Sequence, residues 1–358
     1  MYKAIITKRR FLNWQKILLA AITGVCITAC NSSIPSEAQN QPGSAEQINP
    51  QFSFPMSLSV HDDGQILNYG AEDYYRYGPS IILNDDGSMD LWVSSPGNSN
   101  TQWDWIRYRH SEDGETWSNE QIVLKPTPGS KDQCSVCDPA VIYFDGYYYL
   151  GYTATDYYAG DGYNNQAFVA RSEYPDGPFE KWNGNGWGGD PEPIIRYEDD
   201  PNGWGIGELS FVIKDEDLFI YYTYADLSGA YVELCKADLS ENWPSTVRFK
   251  ERVLARENQD SLDAAYSEQL DLFLGFSMDL KMSEGSSLIV YQSKNGKEFV
   301  ETDSTKTNIE DYAHSVGIVK TAEGHVDVSK PILVGYAYGK KWGRWNFVLK
   351  HFDISTNQ

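Results

Sequence analysis

A pattern that recurs along the chain at intervals of about 50 to 70 residues constrains the fold more than any other feature. Each copy has a polar or small residue, an apolar strand, a turn with Asp or Gly, and a second strand rich in aromatic residues or glycine. The copies begin at Gly78, Asp138, Gly207, Asp263 and His314. One four-stranded blade of a β-propeller with its loop needs about this length. The repeat therefore predicts an all-β, five-bladed β-propeller.

Turn signals between the strands agree with this prediction. The segments SEDGETWS (residues 111–118) and SKNGKEF (residues 293–299) have the Asp or Asn followed by Gly that tight hairpins require. No long amphipathic helix pattern interrupts the short alternating runs. We expect the propeller to occupy residues 51–358.

The innermost strand of each propeller blade begins at a common central funnel. The residues at the start of the five repeats are Gly78, Asp138, Glu208, Asp263 and His314. Core packing would favour Val, Ile or Leu at such positions, so this mixture of polar residues predicts a binding or catalytic site at the funnel.

The first 50 residues have a different character. Five basic residues precede an apolar run that ends at Thr28-Ala29-Cys30, which is typical of a secretory signal over residues 1–29. ITAC resembles a bacterial lipobox, in which Cys30 becomes the acylated first residue; a plain signal peptide with Cys30 incidental is the alternative. Residues 30–50 are rich in Ser, Gln, Asn and Pro, as in a flexible tether. We therefore expect an exported bacterial lipoprotein, anchored in a membrane through Cys30 at the cell surface or in the periplasm.

Charge and aromatic content narrow the partners. The net charge of −22 becomes −27 when residues 1–29, which carry five positive and no negative charges, are removed. Such a surface repels nucleic acid. The chain also contains 25 Tyr and 11 Trp, which suit stacking on sugar rings but equally suit aromatic-rich strands. We expect a carbohydrate substrate, no nucleic acid, and a monomer.

Three cysteines remain beyond Cys26 and Cys30, namely Cys134, Cys137 and Cys235. The Cys134–Cys137 pair precedes a strand rather than a helix, and no second Cys/His pair accompanies it, which disfavours redox and zinc chemistry. A local disulfide or two packed thiols are the interpretations left open.

The segments DPAVIYFDGYYYLGYTA and GIGELSFVIKDEDLFIYYTYA resemble the five-bladed β-propeller glycoside hydrolases, the group that includes glycoside hydrolase family 43 with its arabinosidases and xylosidases. The resemblance spans about residues 69–354. It implies an inverting glycosidase in which an Asp of the first blade is the general base, an Asp of the second tunes the acid, and a Glu of the third is the general acid.

Carried over by position, Asp138 matches the second-blade Asp and Glu208 the general acid. His314 resembles a last-blade histidine that helps to hold a metal ion or a water. The resemblance requires no cofactor for the chemistry and allows a structural calcium ion at the propeller axis. The first blade departs from the pattern, because Gly78 stands where Asp is expected.

Inverting cleavage needs an acid and a base about 6.5 to 9.5 Å apart, so the base must come from elsewhere. Asp104 and Asp73 are the candidates, and Asp104 ranks first because it lies between two tryptophans at the start of a strand; a solvated loop carboxylate is its alternative. The expected substrate contacts are Asp73, Arg76, Tyr77, Trp103, Trp105, Asp263 and His314.

Two other functions remain open. A glycoside phosphorylase would replace the activated water by phosphate, for which Arg76, Arg107 and Arg109 could form a cradle. A non-catalytic carbohydrate-binding lipoprotein would explain Gly78, although Asp138 and Glu208 weigh against it. A sialidase fits less well, because no set of three arginines can be assigned.

Overall fold

The computed structural model describes residues 56–68, 70, 74–99, 101–157, 162–254, 259–306 and 308–356. In these ranges the chain is all-β, with strands throughout and a short 3₁₀ turn at Trp243–Thr246. No described helix is long and apolar enough to span a membrane. The predicted signal peptide, the tether and Cys30 lie outside the described residues.

The strands form five antiparallel groups that follow one another along the chain. The first contains β3 (Tyr77–Leu83), β4 (Met89–Ser99), β5 (Gln102–Ser111) and β6 (Gln121–Leu124), and the second contains β7 (Ser135–Phe144), β8 (Tyr147–Thr155), β9 (Gln166–Ser172) and β10 (Glu180–Lys181). The third contains β11 (Gly205–Lys214), β12 (Asp217–Ala225), β13 (Ala230–Asp238) and β14 (Arg248–Arg252). The fourth contains β15 (Asp263–Ser267), β16 (Leu272–Asp279), β17 (Ser287–Ser293) and β18 (Val300–Thr305). The fifth contains β19 (Ala313–Lys320), β20 (Ile332–Tyr338) and β21 (Asn346–Thr356), to which β1 (Met56–Val60) and β2 (Gln65–Asn68) are added.

Strands from the two ends of the described chain complete the fifth group. β1 pairs antiparallel with β21, from Met56 opposite Thr356 to Val60 opposite Phe352. A two-residue parallel pairing of β19 with β3 joins the fifth group to the first, so these two groups form one nine-stranded sheet, while the other three groups are four-stranded sheets.

Five apolar cores hold the groups together, and each core lies between two neighbouring groups. The first and second groups share Trp92 and Phe168, the second and third share Tyr149 and Phe211, the third and fourth share Tyr221 and Phe273, the fourth and fifth share Phe276 and Tyr336, and the fifth and first share Phe347 and Leu91. Because burial of apolar surface is the main stabilising contribution to folding, each group is stabilised by the groups on both sides.

The predicted hairpin between β7 and β8 is present. Asp145 and Gly146 both have positive φ angles, of 50° and 80°, as the tight turn between twisted strands requires. The hairpin leaves Asp138 at the opposite end of β7, in the interior.

Candidate functional site

Five residues near the starts of the inner strands share an unusual backbone conformation. Their φ angles lie between +49° and +57°, and they are Gly78, Asp138, Glu208, Ser261 and Ser315. In four groups the strand register also shifts at this point. Residues other than glycine rarely adopt such angles, so the shared conformation identifies the equivalent positions of the five groups.

This equivalence confirms the alignment of Gly78, Asp138 and Glu208 and corrects the other two positions. Ser261 takes the place expected for Asp263, and Ser315 the place expected for His314. Alignment on the apolar run is wrong by two residues in the fourth group, where Ser261 lies before the start of β15 at Asp263. It is wrong by one residue in the fifth group, where the register shifts between His314 and Gly317.

In the first three groups a hydroxyl from the second strand connects neighbouring positions. The Thr153 hydroxyl accepts the Glu208 N–H at 2.8 Å and donates to the Asp138 carboxylate. The Thr223 hydroxyl accepts the Ser261 N–H at 2.8 Å and donates to Glu208 Oε2 at 2.7 Å. Each carboxylate is thus held by the same hydroxyl that positions the backbone of the next group.

The first group has this connector without its carboxylate. Ser94 Oγ accepts the Asp138 N–H at 2.7 Å, just as Thr153 and Thr223 do in their groups. The residue on its own inner strand is Gly78, where an added Cβ would lie 3.4 Å from that hydroxyl.

The carboxyl groups of Asp138 and Glu208 have pKa values well above their ordinary values. Burial raises the pKa of Asp138 to about 6, and the charge of Asp104 adds to this effect. Burial also raises the pKa of Glu208 to about 8, with further contributions from the charges of Asp260 and Asp138. Near pH 7 the site therefore favours an ionised Asp138 beside a protonated Glu208, the state in which one can accept and the other can donate a proton.

An ion pair from the fourth group borders these carboxyls. Lys281 Nζ donates to Asp260 Oδ2; Asp260 directly precedes Ser261, and Lys281 lies in the loop between β16 and β17. The charges of Asp260, Glu208 and Asp138 raise the pKa of Lys281 against the effect of burial. Sequence reasoning missed this pair, since no repeat position or motif marks Lys281.

Asp104 lies on β5 and accepts hydrogen bonds on both oxygens. The Tyr75 hydroxyl donates to Oδ1 at 2.5 Å and the Ser135 hydroxyl donates to Oδ2 at 2.9 Å. Its charge raises the pKa values of Tyr77, Cys137 and Asp138 in addition to the effect of burial. The structure therefore brings Asp104 and Tyr77 together with Asp138.

The three arginines considered as a phosphate cradle converge on a carboxylate instead. Arg76 binds both oxygens of Glu120, at 2.8 and 2.6 Å. Arg109 lies 3.2 Å and Arg107 lies 3.7 Å from the same carboxylate. Glu120 thus occupies the position where an anionic ligand would bind the three guanidinium groups.

The two tryptophans expected to contact substrate have different surroundings. Trp105 is 4% exposed, its indole N–H donates to Gln102 at 3.2 Å, and Lys125 covers its ring. Its ring is thus packed and not available for stacking on a sugar. Trp103 is half-buried, and its backbone N–H donates to Cys134.

Asp263 connects neighbouring inner strands through its carboxylate. Its carboxylate binds Lys320 Nζ and accepts hydrogen bonds from the Ser210 hydroxyl at 2.8 Å and the Ile318 N–H at 2.7 Å. All of its contacts described in the structure lie within the protein, so its expected role as a substrate contact has no support from this geometry.

His314 is buried at the edge of the site. Burial lowers its pKa to about 4, so its ring is neutral at pH 7, and it packs edge to face on Trp345 at 4.5 Å. Trp345 in turn contacts Tyr75 and Tyr77. Among the described ranges no three His, Cys, Asp or Glu side chains converge as metal ligands would, and the predicted metal contact of His314 and the axial calcium ion stay predictions.

Two further predictions concern residues near the site. Asp73 lies outside the described residues. Cys134, Cys137 and Cys235 are buried thiols, so the packed-thiol interpretation of the Cys134–Cys137 pair applies in this structure. The Cys137 thiol points to Asp138 Oδ2 at 3.4 Å.

Known structures provide a fold for comparison, although no protein-family model and no curated protein sequence matches the chain. A family 117 glycoside hydrolase of the marine bacterium Zobellia galactanivorans superposes with a TM-score of 0.62 at 14% identity, over 84% of this chain and 91% of that one. The endo-arabinase of Bacteroides thetaiotaomicron gives 0.53 at 15% identity over 80% and 97%, and the α-L-arabinofuranosidase PaAbf62A of Podospora anserina gives 0.56 at 10% over 81% and 95%. The chain therefore has a β-propeller-like all-β fold, and its structural neighbours are glycoside hydrolases.

Proposed function

We propose that this protein is a glycoside hydrolase that cleaves glycosidic bonds of oligo- or polysaccharides by inversion, with Glu208 as the general acid. We include in this proposal that the five strand groups are the blades of a five-bladed propeller related to family 43. The observation that carries the proposal is the pair of equivalent carboxyls, one with a pKa of about 8 and the other of about 6. A glycosidase acid must hold its proton near neutral pH until the leaving oxygen takes it.

The alternatives have weaker support. A phosphorylase needs a cationic cradle, and Glu120 already occupies the three arginines considered for it. A protein that only binds sugars gains nothing from keeping Glu208 protonated, because the neutral amide of a Gln at this position would form similar hydrogen bonds.

The test is a screen of chromogenic glycosides and polysaccharides with the mature chain, with and without phosphate and calcium. On a substrate so found, Glu208→Gln should lower kcat/KM by about 10²- to 10⁴-fold. Glu216→Gln, in the exposed turn between β11 and β12, is the matched control and should leave it unchanged. Full activity of Glu208→Gln would contradict the assignment, and dependence on phosphate would favour the phosphorylase.

We also propose that the mature protein is a monomeric lipoprotein anchored through Cys30, with a carbohydrate as its partner and with no cofactor needed for the chemistry. Radiolabelled palmitate should enter the wild-type protein expressed in a lipoprotein-processing bacterium. It should not enter the Cys30→Ser variant.

A further inference from the structure

We propose that Asp138 is the general base and that the attacking water binds in the cavity that Asp138 shares with Glu208, beside Gly78. This inference rests on the proposed glycosidase function and replaces the expectation that Asp104 or Asp73 activates the water.

Gly78 lies in close contact with Asp138, with little room for a side chain between them. A Cβ at Gly78 would lie 3.1 Å from Asp138 Oδ1 and 3.3 Å from the Asp138 Cα. Any side chain at position 78 would therefore extend directly beside Oδ1. Glycine removes that side chain at the position equivalent to Asp138 and Glu208.

One cavity is lined by both carboxyl residues. Its lining includes Gly78, Asp138, Glu208 and Ser261, and its volume is about 30 Å³. An ordered water needs at least about 10 to 15 Å³ and two to four polar partners. Asp138, Glu208 and Ser261 line the cavity and supply polar partners for such a water.

The two candidate bases differ in their access to the cavity. Asp104 accepts hydrogen bonds from the Tyr75 and Ser135 hydroxyls, and Asp138 accepts them from the Cys137 thiol and the Thr153 hydroxyl. Asp138 lines the cavity together with Glu208, whereas Asp104 is not among its lining residues. A base must lie within hydrogen-bond reach of the proton that it takes, and Asp138 has that access from the cavity. Asp104 then acts as a negative neighbour that makes Asp138 more basic, in line with its effect on the pKa of Asp138.

The reaction balances with these two residues. The water oxygen forms a bond to the anomeric carbon as Asp138 takes one of its protons. The bond from the anomeric carbon to the leaving oxygen breaks as Glu208 gives that oxygen its proton. Solvent then removes the proton from Asp138 and returns one to Glu208. Inversion follows because water attacks opposite the leaving group.

The decisive experiment measures pH–rate profiles of the mature chain and its variants on a hydrolysed glycoside. Asp138→Asn should lose about 10²- to 10⁴-fold in kcat. Asp104→Asn should stay active, with its acidic limb near or below that of the wild type. Sodium azide should restore turnover of Asp138→Gly and yield a glycosyl azide of inverted configuration. The inference is overturned if Asp104→Asn loses the acidic limb and azide rescues Asp104→Gly instead, or if products of the wild type retain configuration, since Asp138 would then attack the sugar directly.

Gly78→Ala tests the water position separately. Gly146→Ala is the matched control, because Gly146 also has positive φ but nothing within 4 Å of the added Cβ. We expect Gly78→Ala to lower kcat at least tenfold with little change in KM. A crystal structure of the wild type should show a water on Asp138 Oδ1, and its absence would contradict the inference. If the wild type hydrolyses no glycoside at all, the proposed function fails, whereas activity with base behaviour at Asp104 defeats only this inference.

Discussion

The carboxyl groups on the inner strands have different surroundings at two positions along the strand, the positive-φ position and the position two residues after it. Asp138 and Glu208 lie at the positive-φ positions, where their raised pKa values show that the protein does not stabilise both as ions. Asp263 lies two residues beyond the equivalent Ser261 and is fully compensated by Lys320, Ser210 and the Ile318 N–H. Of these three carboxyl groups, only the two at the positive-φ position have raised pKa values suited to proton transfer.

Neutralising Asp263 should produce the largest loss of stability. Asp263→Asn leaves the Lys320 ammonium, whose side chain is 8% exposed, without its charged partner. We expect the free energy of unfolding to fall by about 3 to 5 kcal/mol, measured by urea denaturation. Asp263→Asn combined with Lys320→Met should recover most of the loss, and equal stability of the wild type and the single variant would contradict the structural role of Asp263.

Neutralising Glu208, at the positive-φ position, should raise the free energy of unfolding instead of lowering it. The folded pKa of Glu208, about 8, lies above the ordinary value of 4.5, so the folded protein loses stability relative to the unfolded chain as pH rises from about 4.5 to 8. Glu208→Gln should therefore be more stable than the wild type by up to about 5 kcal/mol at pH 9 and similar to it at pH 4. Denaturation midpoints at the two pH values measure this, and a gain independent of pH would count against a buried titrating carboxyl.

The Asp260–Lys281 pair should shift the alkaline limb of activity without removing it. Lys281 lowers and Asp260 raises the pKa of Glu208, so Lys281→Met should move the limb upward by roughly one pH unit and Asp260→Asn should move it downward. The double variant shows whether an unpaired Asp260 destabilises the single Lys281 variant. Lys306→Met, at an exposed position, is the control, and identical limbs in all four proteins would show that the pair does not act on Glu208.

The smallest effect is expected for single hydroxyls. Thr223→Val removes the donor to Glu208 Oε2 and should move the alkaline limb by a few tenths of a pH unit, with a loss of about 1 kcal/mol in stability. Ser210→Ala removes a hydroxyl bonded to Asp263 and should cost similar stability while the limb stays in place. A shift of the alkaline limb by Ser210→Ala would contradict the claim that the hydrogen bonds of Asp263 are separate from the titration of Glu208.

Sequence repeats predicted much of this arrangement because inner-strand starts recur as local patterns. GPS, DPA and ELS contain Gly78, Asp138 and Glu208 in register, and SLD and SVG, which follow the same pattern, contain Ser261 and Ser315. Alignment on apolar runs missed Ser261 because it lies before β15 begins, and missed Ser315 because the register shift between His314 and Gly317 adds a residue that periodicity does not reveal. The catalytic roles of Asp138 and Glu208 stay predictions.

Other features depend on contacts between segments far apart in the chain. Lys281 reaches the site from the loop between β16 and β17. Glu120 forms ion pairs with arginines from two segments of the chain. Neither arrangement leaves a periodic signature in the sequence. Such pairs are set by how the loops and strands of one group pack together, which the repeat pattern does not encode.

The pairing of β1 with β21 has a consequence for synthesis in the cell. The partner of Met56 is Thr356, about 300 residues later. At roughly 5 to 20 residues per second, β1 leaves the ribosome about 15 to 60 seconds before its partner exists. During that interval Met56 and Leu58, which later pack into the core between the fourth and fifth groups, lack their partners on β21. Pairing of the two end strands is therefore a post-translational event.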